Sequence, residues 1–489
     1  MSVNASYTKR FINLRGTLSC RLIGYETFVL VIFLSFARFA LVASAQDSVR
    51  PNIIYIMADD LGYAELGCYG QKKIKTPNLD KMANAGMRFT QHYAGTAVCA
   101  PTRCSLMTGL HTGHTFIRAN SPGYPNGQLP IPSDTETIAT ILRRVGYKTA
   151  CIGKWGLGNF NNSGAATKQG FDHFFGYYDQ RHAHNYYTDH LYRNSQRVAL
   201  DGRTYSHDLL TAEAMTFLQQ NADGPFFLYL PYCIPHTKFQ VPELGGYENN
   251  DWKPNHKTHA AMITRMDRDV GRIIGKVKEL GIAENTLIMF TSDHGAHGQS
   301  GTSKFFHSCG DFRGIKRSLY EGGLRTPFLA QWPGKIKAGT ITHHISAFWD
   351  MLPTLAEICN AETTTNHDGI SFAPTLFGKA TQKEHEYLYW ELFESKKHNR
   401  AVRYGKWKAV IPNWYKSQSP ELYDLSSDVA ESNDVAKKHP DVVRKVNHLL
   451  KTARTPSLYW NVKSKGFDVQ KACIDTGIAP PKKRSKNQN

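Results

Sequence analysis

The sequence has no CxxC pair and no Cys/His spacing of the kind a zinc site uses, although it holds nine cysteines, at 20, 68, 99, 104, 151, 233, 309, 359 and 473. That argues against a zinc-ribbon or dithiol redox module. It has no internal repeat, which excludes a solenoid or propeller. Acidic residues are in the minority, 41 against 59 Lys and Arg, for a formal charge of +18. Such a balance favours polyanions, anionic surfaces or anionic substrates. Yet the one dense basic run is Lys482, Lys483, Arg484 and Lys486 in the tail, and no nucleic-acid fold signature is present. An acidic or sulfated polysaccharide is then as good an electrostatic partner as nucleic acid. Long apolar runs are also missing beyond the first residues, which excludes a multi-span membrane protein.

At 489 residues, with 41% apolar and 20% charged side chains, the chain is globular and neither disordered nor collagen-like. Its length allows up to three domains of about 150 residues. Aromatic residues reach 12%, enough to line sugar-binding surfaces as well as a core.

The N-terminus reads as an address. Lys9, Arg10, Arg15 and Arg21 precede an apolar run from Phe28 to Ala37, and Ala43-Ser44-Ala45 offers a small-x-small cleavage site. This pattern predicts a signal peptide over residues 1–45 and a secreted or periplasmic protein. An uncleaved anchor is the alternative, disfavoured by Arg38 inside the run. Cleavage removes five basic residues and one acidic residue, leaving 54 − 40 = +14, with no stable membrane span.

Strand-like runs recur at Asn52–Met57, Lys148–Ile152, Phe226–Leu230, Thr286–Thr291 and Thr326–Gln331. Helical patterns lie between them, one opening at a Ser133-x-x-Glu136 capping box and one running from Thr258 to Leu280. This alternation predicts an α/β fold, a large, mixed and mostly parallel sheet covered by helices, over residues 46–380. From residue 381 the texture changes. Strands at Tyr387–Leu392, Ala401–Val410 and Glu421–Leu425 and a helix at Asp441–Thr452 predict a smaller antiparallel α+β subdomain over 381–475, then a flexible basic tail over 476–489.

Three constellations carry chemistry. Asp59-Asp60 follows the first strand, and two adjacent buried carboxylates ask for a cation. Ser292-Asp293-His294-Gly295 follows another strand, which a parallel sheet brings to the same edge. Oxygen-rich ligation favours Ca²⁺ or Mg²⁺, and the imidazole leaves Mn²⁺ or Zn²⁺ open. The third is Cys99-Ala100-Pro101-Thr102-Arg103, continuing to Leu106-Met107-Thr108-Gly109. A cysteine at a helix N-terminus beside an arginine reads as an activated thiolate, and the arginine fork as a holder of a tetrahedral oxyanion.

This third motif resembles the sulfatase signature, a C-x-P-S/T-R core. Gly146 to Trp155 resembles the second signature, and Pro51-Asn52-Ile53-Ile54 and Glu321-Gly322-Gly323-Leu324-Arg325-Thr326-Pro327 keep the family's order. The chain is identified as a member of the type I, formylglycine-dependent sulfatases, arylsulfatase-like, of the alkaline-phosphatase-like superfamily. The resemblance implies that a maturation enzyme oxidises Cys99 to formylglycine, whose hydrate attacks sulfur and then ejects sulfate. It implies Asp59, Asp60, Asp293, His294 and the group at Cys99 as ligands of a divalent metal, Ca²⁺ first. Arg103 would steady the hydrate, Lys154 and Lys316 would clamp sulfate, and His236 would protonate the leaving oxygen. The implied activity is hydrolysis of sulfate monoesters on a sulfated carbohydrate, a glycosaminoglycan or algal galactan.

One position departs from the family. The second signature usually continues Lys-x-His, and here Lys154-Trp155-Gly156 stands instead. His111, His114, His182 and His184 are candidate substitutes, and the segment Asp179–Tyr187 is a candidate sugar wall. Two other readings follow: a phosphonate or phosphate ester hydrolase of the same superfamily, and a sulfated-glycan-binding protein with impaired catalysis.

Overall fold

The computed structural model describes residues 50–121, 128–394, 397–461 and 466–475. The expected signal peptide and the expected basic tail lie outside them. Residues from Pro51 onward form one compact unit.

Its centre is a mixed sheet of β1 (Asn52–Ala58), β2 (Met87–Tyr93), β3 (Lys148–Lys154), β4 (His173–Tyr177), β5 (His190–Arg193), β6 (Gln196–Ala199), β7 (Phe226–Pro231), β8 (Thr286–Ser292), β9 (Arg325–Gln331), β10 (Thr340–Thr342) and the short β11 (Ser346–Ala347). The order across the sheet is β10-β2-β9-β8-β1-β7-β3-β4-β5-β6, with β11 beside β2. β8, β1, β7, β3 and β4 run parallel, so their C-terminal ends share one edge. β9 runs antiparallel to both neighbours. β1, β7, β8 and β9 are buried along their whole length. Strands covered on both faces are apolar throughout and do not alternate, which is why they stand out in the sequence.

Two core clusters, one on each face, hold the covering helices. Val270, Ile273 and Val277 of the helix Pro254–Glu279 pack on one side, and Leu352 and Leu355 of the helix Met351–Cys359 on the other. The first helix begins earlier than its apolar period predicts, because Pro254 occupies the first turn, where its missing N–H costs nothing. The capping box also differs from expectation. Thr137 and Thr140 cap the helix Ile138–Arg144 reciprocally. Glu136 instead accepts hydrogen bonds from Thr364 and Thr365.

The second sheet is antiparallel: β12 (Leu388–Glu394), β13 (Lys397–Tyr404), β14 (Trp407–Ile411) and β15 (Glu421–Asp424). The run Ala401–Val410, expected as one strand, is a hairpin turning at Gly405 (φ 56°). Leu388, Trp390 and Val410 belong to the same apolar cluster as Tyr55 and Phe89 of the large sheet. Lys408 Nζ lies 2.7 Å from Glu321 Oε1, both fully buried, so the motif glutamate ties the two sheets together. Among the described residues Cys68, Cys99, Cys104, Cys151, Cys233 and Cys309 are free thiols. No helix among the described residues is long and apolar enough to cross a membrane.

Candidate active site

Each predicted site residue reaches the same sheet edge, from six separate elements. Asp59 and Asp60 leave β1; Asp293 and His294 leave β8 beside it, in register through Ala58 and Ser292. Lys154 is the last residue of β3, and His236 lies five residues beyond β7. The helix Cys99–Thr108 points its N-terminus at this edge and is buried at all ten positions. Lys316 comes from the loop before β9, where its amide donates to Ala296 O and that of Arg317 to Ala97 O.

Asp60 adopts a left-handed conformation (φ 69°), and its amide donates to Asp293 Oδ1 at 3.0 Å. The three carboxylates are fully buried and face three buried cations. Lys154 Nζ is 2.6 Å from Asp59 Oδ2, and Lys316 Nζ is 2.7 Å from Asp60 Oδ1. Arg103 Nη2 is 3.2 Å from Asp293 Oδ2 and 3.7 Å from Asp59 Oδ1. Burial alone would push Asp59 up, but the charges of Lys154, His236, Arg103 and Lys316 outweigh it and hold the carboxyl well below its usual range. Asp293 goes the other way: burial dominates and raises it.

Cys99 Sγ lies 3.5 Å from Asp59 Oδ1, 3.6 Å from His294 Nε2 and 3.8 Å from Lys316 Nζ. Two expectations for bare chemistry are corrected here. The thiol is no thiolate; burial pushes it up to about 12 despite Lys154 and Lys316. Nor is Arg103 a free fork, since its Nη1 donates to Lys154 O at 2.7 Å and its Nη2 to Asp293. It fixes other groups in place.

The donor set fits a divalent cation. His294 Nδ1 faces Gly295 O at 3.0 Å, so that nitrogen carries the hydrogen. The lone pair of Nε2 then points at Asp60 Oδ1 (3.3 Å) and Asp293 Oδ1 (3.6 Å). A lone pair facing two carboxylate oxygens is repulsive unless a cation sits among them. One ligand atom each from Asp59, Asp60, Cys99 and His294 falls within 4.8 Å of the others.

A cleft of about 570 Å³ opens above this floor. Lys316 Nζ and His236 Nε2 stand 3.0 Å apart, with His236 Nε2 3.3 Å from Asp60 Oδ2. His236 Nδ1 contacts Thr237 O. Among the four candidate substitutes for the missing histidine, His184 lines the cleft and its ring stacks on His236 at 3.9 Å. His111 and His114 pair with Asp368 instead, and His182 with Thr188. Gln180 and Arg181 of the segment Asp179–Tyr187 line the cleft beside His184, and the cleft also takes in Asn120 and His297, which no motif marks in the sequence. Asn120 receives the amide of Ala100, in the first turn of the cysteine helix.

Comparison with known proteins agrees with this geometry. The family model "Sulfatase" matches residues 51–361, and that for the C-terminal part of N-sulphoglucosamine sulphohydrolase matches 311–455. An N-acetylgalactosamine-6-O-sulfatase of Bacteroides thetaiotaomicron is 29% identical, over 84% of this chain and 94% of its own. Human arylsulfatase A is 31% identical, over 84% and 89%. The solved structure of Ps i-CgsB in complex with k-i-k-neocarrahexaose superposes with a TM-score of 0.73 at 28% identity, covering 85% of this chain and 96% of that one. The chain belongs to the sulfatase family, and is a sulfuric ester hydrolase.

Proposed function

We propose that the protein is a secreted or periplasmic sulfatase that removes sulfate from a sulfated carbohydrate after Cys99 has been matured to formylglycine. The observation that carries this reading is the convergence of Cys99, Lys316, His236 and Asp60 on the floor of one open cleft.

Lys154 and Lys316 are the clamp. Both are buried against carboxylates, so their charge is held in place and is not quenched by water. His236, 3.0 Å from Lys316 Nζ, stands where the ester oxygen of a clamped sulfate leaves, and we assign it the proton for that oxygen. Arg103 is a positioning residue that orients Asp293 and the end of β3. Asp59, Asp60, Asp293 and His294 would hold the cation, for which Ca²⁺ is the first choice. When bound, such an ion polarises sulfate oxygens and lowers the pKa of the nucleophile. Formylglycine supplies, as its hydrate, an oxygen nucleophile and a second hydroxyl for release of sulfate.

The catalytic residues lie between Asp59 and Lys316, which supports assigning 46–380 to catalysis and 381–475 to the smaller subdomain. The relatives' names point to sulfated glycans, N-acetylgalactosamine 6-sulfate in one case. The net charge of the mature chain suits such a polyanion.

The test is peptide mass spectrometry across Cys99 from secreted protein, with sulfate release from glycosaminoglycan and galactan oligosaccharides. The expected result is formylglycine at 99 and free sulfate. A phosphate ester turned over faster than the sulfate ester of the same alcohol would sink the reading in favour of a phosphoester hydrolase. Matured protein that retains sulfated glycan and never releases sulfate would make it a binding protein.

A further inference from the structure

We propose that Gln180 supplies, from the neighbouring strand, the hydrogen-bonding side chain that Gly156 lacks, and that its amide N–H holds an oxygen of the sulfate group over Cys99. This rests on the sulfatase reading and adds a substrate-holding residue to it.

The topology puts the two positions side by side. β3 and β4 pair in parallel, with Lys154 opposite Tyr177. Beyond that pair both chains leave the same edge, and Trp155 N still donates to Tyr177 O at 3.0 Å. Gln128, itself 2% exposed, ties the two continuations together, since its Nε2 donates to both Gly158 O and Tyr178 O at 2.5 Å. Asp179 fixes the turn that follows. Its Oδ1 accepts from the amides of Arg181 and His182 at 2.6 and 3.0 Å.

One side chain then fills the place of the other. A Cβ on Gly156 would have Nε2, Cδ and Cγ of Gln180 as its nearest atoms beyond its chain neighbours, at 3.0, 3.3 and 3.5 Å. Residue 156 is also left-handed (φ 83°), a conformation that glycine adopts without penalty. The glycine and the glutamine are therefore a matched pair. The space where a side chain at 156 would begin is taken by the amide of residue 180, so the departure from Lys-x-His is a transfer between adjacent strands.

The amide is left for a ligand. Gln180 is 8% exposed, and it lines the cleft that also holds Cys99, Lys316 and His236. Its side chain makes no hydrogen bond among the described residues. A largely buried amide without a partner is costly, and a group bound in the cleft removes that cost. The oxygens of a sulfate ester are acceptors, and the amide N–H is a donor, so the two match. Lys154 and Lys316 bring charge to the sulfate, whereas Gln180 brings direction. A carboxamide exchanges no proton near neutral pH, so its part is to hold.

The experiment compares Gln180→Met, which keeps the length and bulk of the side chain, with Gln180→Ala, which empties the space beside Gly156. Both are made in the full-length, matured enzyme and assayed on N-acetylgalactosamine 6-sulfate and galactose 4-sulfate, with the melting temperature read alongside. For the ester that is released, both variants should lower kcat/KM by about ten- to a hundredfold, the worth of one hydrogen bond to a charged group. Gln180→Met should do so at an unchanged melting temperature. The second readout does not depend on turnover. Calorimetry of Ca²⁺-loaded Cys99→Ala protein with inorganic sulfate should show an affinity weakened by a similar factor once Gln180→Met is added, because a contact made to bound sulfate appears in KM. Near-natural turnover and sulfate affinity in Gln180→Met overturn the proposal whatever Gln180→Ala does, since the side chain then only fills space. Where the melting temperature falls as well, the sulfate affinity decides. Absence of sulfate release by the natural chain overturns the catalytic reading instead. Calorimetry still judges Gln180 in that case, and no sulfate binding, or binding unchanged by Gln180→Met, overturns its role.

Discussion

Lys154 Nζ and Asp59 Oδ2 lie 2.6 Å apart, with neither side chain exposed. The last residue of one strand thus neutralises the first residue beyond another, and neither charge is affordable underground alone. Removing one partner of a buried pair typically costs about 3–5 kcal/mol. Lys154→Met should accordingly lower the melting temperature and abolish turnover. The melting deficit should be larger in chelator than in millimolar Ca²⁺, since a cation is the other neutraliser of Asp59. Deficits equal in the two buffers would show that no ion binds there.

Cys99→Ala separates reagent from core filler. The lost sulfur sits in a tight site, so stability should fall by about 1 kcal/mol. Turnover should fall by at least about three orders of magnitude, as for loss of any covalent nucleophile. Circular dichroism with sulfate release measures both. Activity near that of the natural chain would refute the mechanism.

Gly156 bears on the departure from the family pattern. Its φ is +83°, and a Cβ there would meet Gln180 Nε2 at 3.0 Å. Restoring the family residue by Gly156→His should therefore destabilise by about 1–2 kcal/mol through backbone strain alone and leave turnover no higher. The Gln180→Ala background should relieve the clash without the strain. A more active Gly156→His enzyme would show that the position merely lost its histidine.

Glu213 gives a pH test away from the active site. Burial pushes its carboxyl up, but hydrogen bonds from His173 and Arg193 and the charge of Arg193 win, and hold it at about 2. The unfolded value is about 4.3, so the group contributes stability above that pH, and the contribution is lost as pH falls toward 2. The difference in urea stability between the natural chain and Glu213→Gln should be on the order of 1 kcal/mol at pH 7, reduced by solvent at a half-buried pair. It should shrink steadily below pH 4.5. A difference independent of pH would mean that packing, not charge, supports Glu213.

The site was legible where chemistry coincides with strand ends. Asp59, Asp293 and Lys154 each follow or close an apolar run, and parallel pairing then makes their meeting a matter of topology. Asn120 and His297 were not legible, because loops bring them to the cleft and a lone side chain carries no spacing to read. Ser133 and Glu136 show the opposite failure. Their spacing imitates a cap, but Glu136 finds better partners in Thr364 and Thr365, far along the chain. The Ala401–Val410 hairpin was hidden because Tyr404 and Trp407 flank Gly405 with strand-forming residues. His294 shows what sequence leaves open even where it marks a residue: the ring orientation depends on the carbonyl of Gly295.

The helix Cys99–Thr108 is buried at every position, including Pro101, Thr102 and Arg103 beside the cysteine. In the finished protein those flanking residues are closed to any enzyme that must grip them as an extended segment. On the proposed maturation, conversion of Cys99 would belong to the time before the helix docks and would compete with folding. A chain that folded first would keep its thiol. Under that reading the active fraction of a preparation would report the history of each molecule, and neither metal nor maturation enzyme added later to the folded protein would raise it.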